Sequence, residues 1–133
     1  MSIVVPNYIS EIDPYQGGKP IKEVAREIGI PEDKIIKLAS NENPMGISPL
    51  AMKSINDSLY EIERYPDGNS YYLKKALSNK FLISPKQIII GNGSNDILEL
   101  AARTFAADGD QIIFSEHAFA VYKIVTQAIG AEG

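Results

Sequence analysis

The segment of this sequence best suited to chemistry is the turn at residues 91–96, GNGSND, which joins an apolar run to a helical pattern. A turn from a strand into a helix leaves the first backbone N–H groups of the helix without intrahelical partners, and the helix dipole adds partial positive charge there. Such a turn suits a phosphate or a carboxylate. Ser94 and Asn95 add polar side chains at the same point, so the sequence predicts an anion site whose simplest ligand is a single phosphate.

A dinucleotide is the alternative ligand for this turn. Gly91 and Gly93 match the start of the dinucleotide fingerprint, and Glu116 stands where an acid that binds ribose would lie. The third glycine position holds Asp96 instead, and its side chain would crowd a pyrophosphate. A nucleotide-binding half domain and a plain structural turn both stay open at this point.

Other kinds of catalytic site have little support. The chain has no cysteine and one histidine, His117, which follows Ser115 and Glu116 directly. Three adjacent residues cannot converge as nucleophile, base and orienting acid, because the members of a triad come from separate segments. With so few soft or imidazole ligands, and no acidic spacing typical of a calcium loop, no metal site is predicted.

Composition narrows the possible partners. The 133 residues are 44% hydrophobic and 23% charged, as in an ordinary globular domain. A net charge of -4 without any cluster of Lys or Arg argues against nucleic acid. No apolar run has membrane-spanning length and no basic leader is present, so we expect a cytoplasmic protein that does not bind a membrane.

Hydrophobic periodicity predicts the elements around the turn. Residues 1–20, rich in Pro and Gly, are predicted to be an extended arm with turns. Apolar stripes at helical spacing follow, at residues 21–28, 48–63, 73–81, 95–105 and 118–129. Short strands are predicted at residues 34–39, 88–90 and 111–114.

The predicted fold class is α/β. From Gln87 onward strand and helix alternate, which is typical of a parallel sheet with crossover helices. An N-terminal arm and helices would therefore precede the first βαβα units of a mostly parallel sheet. Parallel sheets need cover on both faces, so we expect a fold that is incomplete at the C-terminus, either as a fragment or as a chain completed by a partner.

Several separated motifs together resemble one family. They are KLASNENPMG at 37–46, RYPD at 64–67, IGNGSND at 90–96 and FAVY at 119–122, preceded by the arm DPYQGGKP at 13–20. In this order and spacing they resemble histidinol-phosphate aminotransferases, which are fold-type I enzymes that use pyridoxal 5′-phosphate. The resemblance covers residues 8–133. We accordingly predict an arm with a short helix at 1–34, small-domain or linker helices at 35–86, and the start of the cofactor-binding large domain at 87–133.

The resemblance also implies roles for individual residues. Three aromatic residues that lie in turns or at a helix start gain a function in this way: Phe119 would stack on the pyridine ring, Tyr65 would reach the cofactor phosphate of the other subunit of a homodimer, and Tyr15 would help to enclose the substrate. The remaining implied contacts are those of Gly93, Ser94 and Asn95 with the cofactor phosphate, mainly through backbone N–H groups, and of Glu42 and Asn43 with the substrate.

The implied reaction transfers an amino group between L-histidinol phosphate and 2-oxoglutarate in histidine biosynthesis. The family's Schiff-base lysine, the aspartate that pairs with the pyridine nitrogen and the substrate-binding arginines lie beyond Gly133. No catalytic residue is therefore assigned here, and the 133 residues alone are expected to be inactive. The alternatives are a related enzyme such as phosphothreonine decarboxylase, or a non-enzymatic module that binds a phosphate ligand or another polypeptide.

Overall fold

The computed structural model describes residues 4–133, and within them the secondary structure is helical. The six α-helices are α1 (Asn7–Ser10), α2 (Ile21–Ile28), α3 (Pro49–Ser58), α4 (Tyr71–Phe81), α5 (Ser94–Phe105) and α6 (Val121–Ala128). Single 3₁₀ turns lie at Glu32–Lys34, Leu59–Glu61 and Pro85–Gln87. No helix among the described residues is both long and apolar enough to cross a lipid bilayer.

The chain divides into two compact units. The larger unit joins the segment up to Tyr15 with Asp67–Gly133, and the smaller unit is Gln16–Pro66. The larger unit therefore contains α1, α4, α5 and α6, and the smaller contains α2 and α3. The functional division predicted at residues 34 and 86 stays a prediction.

The smaller unit forms its helices where the sequence predicts them. Helix α2 follows Pro20 and ends at Gly29, which has the left-handed φ of 72° that a residue without Cβ adopts easily. Lys19 supports this helix because its Nζ lies 2.6 Å from Glu27 Oε1. Helix α3 has Pro49 in its first turn, and the 3₁₀ turn Leu59–Glu61 continues it close to the predicted end.

The larger unit is held together by the packing of α5 against α6. Ala102, Val121 and Val125 are buried there, with Leu98, Ile112 and Ile129 packed around them. Thr126 of α6 is also buried, and its hydroxyl donates to the Tyr122 carbonyl oxygen at 2.7 Å. A small core of this kind fixes the direction of α5, and the direction of α5 sets the orientation of the turn that precedes it.

The N-terminal segment departs from the predicted extended arm. Residues Asn7–Ser10 form the short helix α1, and Gln127 of α6 donates its side-chain amide to the Tyr8 carbonyl oxygen at 3.0 Å. This hydrogen bond from Gln127 holds the N-terminal segment against α6. Residues 1–3 of the predicted arm lie outside the described residues.

The predicted strands are almost unpaired. Among the described residues, β-pairing is confined to one parallel bridge between Gln111 and Glu132, in which Ile112 N–H donates to the Glu132 carbonyl oxygen at 2.9 Å. Ile35 and Ile88 have extended dihedral angles, but the segments at 34–39 and 88–90 make no ladder. A strand forms only where a neighbouring segment accepts and donates its hydrogen bonds. In the predicted strand 111–114, Ile113 is 98% exposed, so no neighbouring segment of the described chain covers its side chain. The parallel sheet itself stays a prediction.

Candidate functional site

The turn before α5 has a backbone that only glycine adopts readily. Gly93 is the N-cap of α5 and has φ 101° and ψ 179°. This combination lies in a region that residues with a Cβ avoid. No atom lies within 4 Å of the position where a Cβ would be, so the dihedral angles and not crowding require glycine here.

The same turn leaves backbone donors free. Within the described chain, the N–H groups of Ser94 and Asn95 make no hydrogen bond to protein, and no side chain caps α5. The first N–H of the helix to find a backbone partner is that of Ile97, which donates to the Gly93 carbonyl oxygen at 3.4 Å. The structure thus places Gly93, Ser94 and Asn95 together as an open donor cluster at the positive end of a helix, which suits an anion.

The side chain of Asp96 bonds back to the segment that precedes α5. Its Oδ2 accepts a hydrogen bond from Asn92 N–H at 3.0 Å. A Cβ on Gly91 would lie 2.9 Å from both Asp96 Oδ2 and Ile97 Cδ1, so a side chain at Gly91 would displace the ends of these two side chains. Sequence reasoning treated Asp96 only as an obstacle to a pyrophosphate and did not predict this contact. An acidic residue in the first turn of a helix is the signal that could have revealed it, since such residues often reach back to a preceding N–H.

Tyr15 and Phe119, predicted from separate segments, meet in the larger unit. Their ring centroids are 5.6 Å apart and their planes are 81° apart, an edge-to-face contact. Phe119 lies just before α6, and its carbonyl oxygen accepts the Tyr122 N–H at 3.0 Å. Phe119 is 41% exposed, so beside its contact with Tyr15 it still has surface for a flat ligand.

The remaining three predicted site residues belong to the smaller unit. Tyr65 is fully exposed. Glu42 pairs with Lys37, whose Nζ lies 2.8 Å from Glu42 Oε1 and whose side chain is only 17% exposed. Asn43 bonds within its own loop, donating to the Gly46 carbonyl oxygen at 2.8 Å and accepting from Met45 N–H at 3.0 Å.

These contacts mean that Glu42 and Asn43 shape the loop that carries them. Ser40 and Asn41 have φ values of 72° and 49°, an unusual pair of left-handed residues with side chains. Such a backbone persists only where surrounding contacts hold it, and strained loops often lie at functional sites. Lys37, which sequence reasoning left without a role, provides one of those contacts. A basic residue at the start of the segment KLASNENPMG gives no separate signal for this pairing.

Asp67 organises the turn that begins α4. Its two carboxylate oxygens accept Tyr71 N–H at 2.8 Å and Asn69 N–H at 2.9 Å. These bonds from Tyr71 and then Asn69 stabilise the carboxylate and lower the pKa of Asp67 below its ordinary value. The RYPD motif alone gives Asp67 no role, and the structure gives it the role of capping the first N–H of α4.

Comparison with known proteins places this geometry in a family. Residues 33–132 match the family of class I and II aminotransferases, and the chain therefore belongs to that family. Within it, the chain is 56% identical over 128 residues to the histidinol-phosphate aminotransferase of Methylobacillus flagellatus, covering 96% of this chain and 35% of that protein. It is 54% identical over 130 residues to histidinol-phosphate aminotransferase 2 of Nitrosospira multiformis, covering 98% of this chain and 33% of that protein. The resemblance drawn from the sequence motifs is confirmed.

A solved structure gives the same answer for the fold. The crystal structure of histidinol-phosphate aminotransferase from Sinorhizobium meliloti in complex with pyridoxal-5′-phosphate matches with a TM-score of 0.79 at 22% identity, over 96% of this chain and 33% of that one. The described residues thus have the fold of the corresponding part of an aminotransferase. The chain spans about a third of the length of the relatives that it matches.

Proposed function

We propose that these residues form the N-terminal part of a pyridoxal-phosphate-dependent aminotransferase of histidine biosynthesis. The amino group would move between L-histidinol phosphate and 2-oxoglutarate, in a cytoplasmic homodimer. The observation that carries the proposal is identity above half, over nearly the whole chain, to relatives named histidinol-phosphate aminotransferases. In the complete protein, the segments at 88–90 and 111–114 would be strands of the parallel sheet.

The turn before α5 fits the phosphate of this cofactor. Ser94 and Asn95 offer free N–H groups, and Gly93 adopts the dihedral angles that aim them outward from the helix. A phosphate monoester needs a few such donors and a helix behind them, which this turn supplies. When bound, the cofactor supplies an electron sink for transamination, while the protein supplies orientation and charge.

The aromatic pair fits the flat part of the same cofactor. Phe119 would stack on the pyridine ring, and its edge-to-face contact with Tyr15 would help to orient the Phe119 ring. Tyr65 would donate its hydroxyl to the cofactor phosphate of the other subunit, a role supported by its full exposure. Tyr15 and the loop carrying Glu42 and Asn43 would help to exclude water from the bound substrate.

Two substitutions at Ser94 test whether phosphate binds this turn. Ser94 is the first residue of α5, a position where proline fits a helix, so Ser94→Pro deletes one N–H donor without breaking the helix. Ser94→Ala is the matched control, because it deletes only the hydroxyl. The protein should be expressed from the complete reading frame that contains these residues, and its affinity for pyridoxal phosphate and for pyridoxal should be measured.

We expect Ser94→Pro to weaken pyridoxal phosphate binding roughly 10- to 100-fold, as the loss of a hydrogen bond to a charged group does, and Ser94→Ala to weaken it less. Binding of pyridoxal, which has no phosphate, should change little. Equal losses for both ligands would place the phosphate elsewhere. An intact protein that binds neither ligand would overturn the proposed function.

Substrate identity needs a separate assay of the same intact protein. Amino transfer from L-histidinol phosphate to 2-oxoglutarate is the expected activity. Release of carbon dioxide from phosphothreonine without amino transfer would instead favour the decarboxylase alternative.

A further inference from the structure

We infer that Asp96 is a positioning residue for the cofactor phosphate, an inference that rests on the proposed function. By accepting the Asn92 N–H, its carboxylate fixes the turn in the shape that leaves the Ser94 and Asn95 N–H groups free for one phosphate. Asp96 does not itself touch the cofactor.

The hydrogen bond that Asp96 accepts crosses the bend before α5. Asp96 belongs to the first turn of α5, and its Oδ2 reaches back 3.0 Å to the N–H of Asn92, which precedes the helix. The bond therefore spans the bend of the chain and ties the entering segment to the helix. A hydrogen bond between an N–H and a carboxylate is stronger than one between neutral groups.

The same carboxylate also packs beside Gly91. A Cβ at Gly91 would come within 2.9 Å of Asp96 Oδ2, so the carboxylate occupies the space beside this glycine. Between this packed glycine and α5, Gly93 holds φ 101°. Glycine loses more conformational freedom on folding than any other residue, so two glycines flanking Asn92 need an external tie to stay in one shape. Asp96 supplies that tie.

Asp96 also determines which backbone N–H groups of the turn are bonded within the protein and which stay free for a ligand. The carboxylate accepts the Asn92 N–H, whereas the N–H groups of the next four residues, Gly93, Ser94, Asn95 and Asp96, have no acceptor within the described residues. The number of free donors suits one tetrahedral anion. A second phosphate placed toward Asn92 would meet a donor already in use and a negative charge, which explains how a partial dinucleotide motif can serve a monophosphate.

The negative charge of Asp96 does not itself favour phosphate binding. A carboxylate near a phosphate dianion repels it, so the charge of Asp96 does not attract the ligand. Any gain in affinity must come from the shape that Asp96 imposes. Substitutions at Asp96 can therefore separate the effect of accepting the Asn92 N–H from the effect of the negative charge.

Three variants of the intact protein separate these effects. Asp96→Asn keeps an oxygen that can accept the Asn92 N–H but removes the charge. Asp96→Ala removes both. Glu99→Ala is the matched control, because Glu99 lies one helical turn further along α5 and pairs with Arg103 at 2.9 Å, away from the bend.

The readouts are the dissociation constants for pyridoxal phosphate and pyridoxal, and amide hydrogen exchange at Asn92 without ligand. For Asp96→Ala we expect affinity for pyridoxal phosphate to fall roughly tenfold, affinity for pyridoxal to stay within about twofold, and exchange at Asn92 to accelerate. Asp96→Asn should restore both the affinity and the slow exchange. Glu99→Ala should match the wild type.

Some results would overturn the inference while leaving the proposed function intact. One is a wild type that binds pyridoxal phosphate and an Asp96→Ala variant that binds it equally well or more tightly. Another is an equal loss of affinity for both ligands, which would indicate a general structural defect. A wild type without affinity for pyridoxal phosphate would overturn the proposed function first, and this inference with it.

Discussion

Replacing Gly93 by alanine would test how strictly the turn depends on its backbone. The surroundings leave room for the added methyl group, since nothing lies within 4 Å of it. The substitution therefore changes only the preferred dihedral angles. Because φ 101° and ψ 179° are costly for alanine, the variant must either keep the turn under strain or relax it to another shape.

The size of the effect follows from these two choices. Keeping the turn costs about 1–3 kcal/mol of folding free energy, the usual cost of a residue held in such a region. Relaxing it lowers that cost but redirects the N–H groups of Ser94 and Asn95 away from the phosphate. In binding, 1–3 kcal/mol corresponds to a loss of affinity of roughly 5- to 150-fold.

Two other glycines serve as matched controls. Gly68 also has open space around it but no positive φ, so Gly68→Ala should leave stability nearly unchanged. Gly29 has open space and φ 72°, so Gly29→Ala should carry strain at the end of α2 without affecting the cofactor. Gly93→Ala alone should combine lower stability or altered turn geometry with weaker binding of pyridoxal phosphate.

The assay is urea unfolding of the intact protein, together with titration with pyridoxal phosphate. If Gly93→Ala equalled Gly68→Ala in both stability and affinity, the dihedral argument would be refuted. A variant that lost stability but kept full affinity would contradict the link between this turn and the phosphate.

Three further predictions concern other contacts. Removing Tyr15 and Phe119 singly and together should show a coupling of about 1 kcal/mol in cofactor affinity, as aromatic pairs do, and additive losses would mean that Tyr15 does not hold the ring. The lowered pKa of Asp67 means that its contribution to stability is present above its ordinary pKa of 3.8 and is lost as pH falls through the lower folded value. The stability gap between wild type and Asp67→Ala in urea unfolding should therefore shrink in that acidic range, and a constant gap would disprove the cap. Lys37→Met should raise the substrate KM about two- to fivefold with kcat little changed, because the ion pair with Glu42 is partly exposed. Unchanged kinetics would show that the loop does not need this ion pair.

The helices could be predicted from sequence because their signals are local. Proline before α2 and glycine after it mark its ends, and the observed bounds Ile21–Ile28 follow those marks. Helix α5 was predicted from Asn95, one residue later than it begins, because an N-cap glycine gives no side-chain signal. Such predictions need only residues within one or two turns of each other.

The strands could not be predicted with the same reliability because their hydrogen bonds come from distant segments. The apolar runs at 88–90 and 111–114 have the composition of buried parallel strands. In the described residues only Gln111 has found a parallel partner, Glu132. Composition reports what a segment would do inside a sheet, whereas formation of the sheet depends on neighbouring strands.

In the candidate site, the backbone donors could be predicted from sequence, but the contacts of the side chains could not. Free backbone donors at Ser94 and Asn95 follow from any turn that enters a helix, so these donors were predictable from residue order alone. The use of Asp96, Glu42 and Asn43 was not, because a polar side chain can contact either a ligand or the backbone of its own loop, and sequence does not distinguish the two. In this structure all three make contacts within the protein. Substitutions there would first change the shape of a loop or turn, so their effects on binding cannot be taken as proof of contact with a ligand. Only variants that keep the internal hydrogen bond, such as Asp96→Asn, can separate shape from contact.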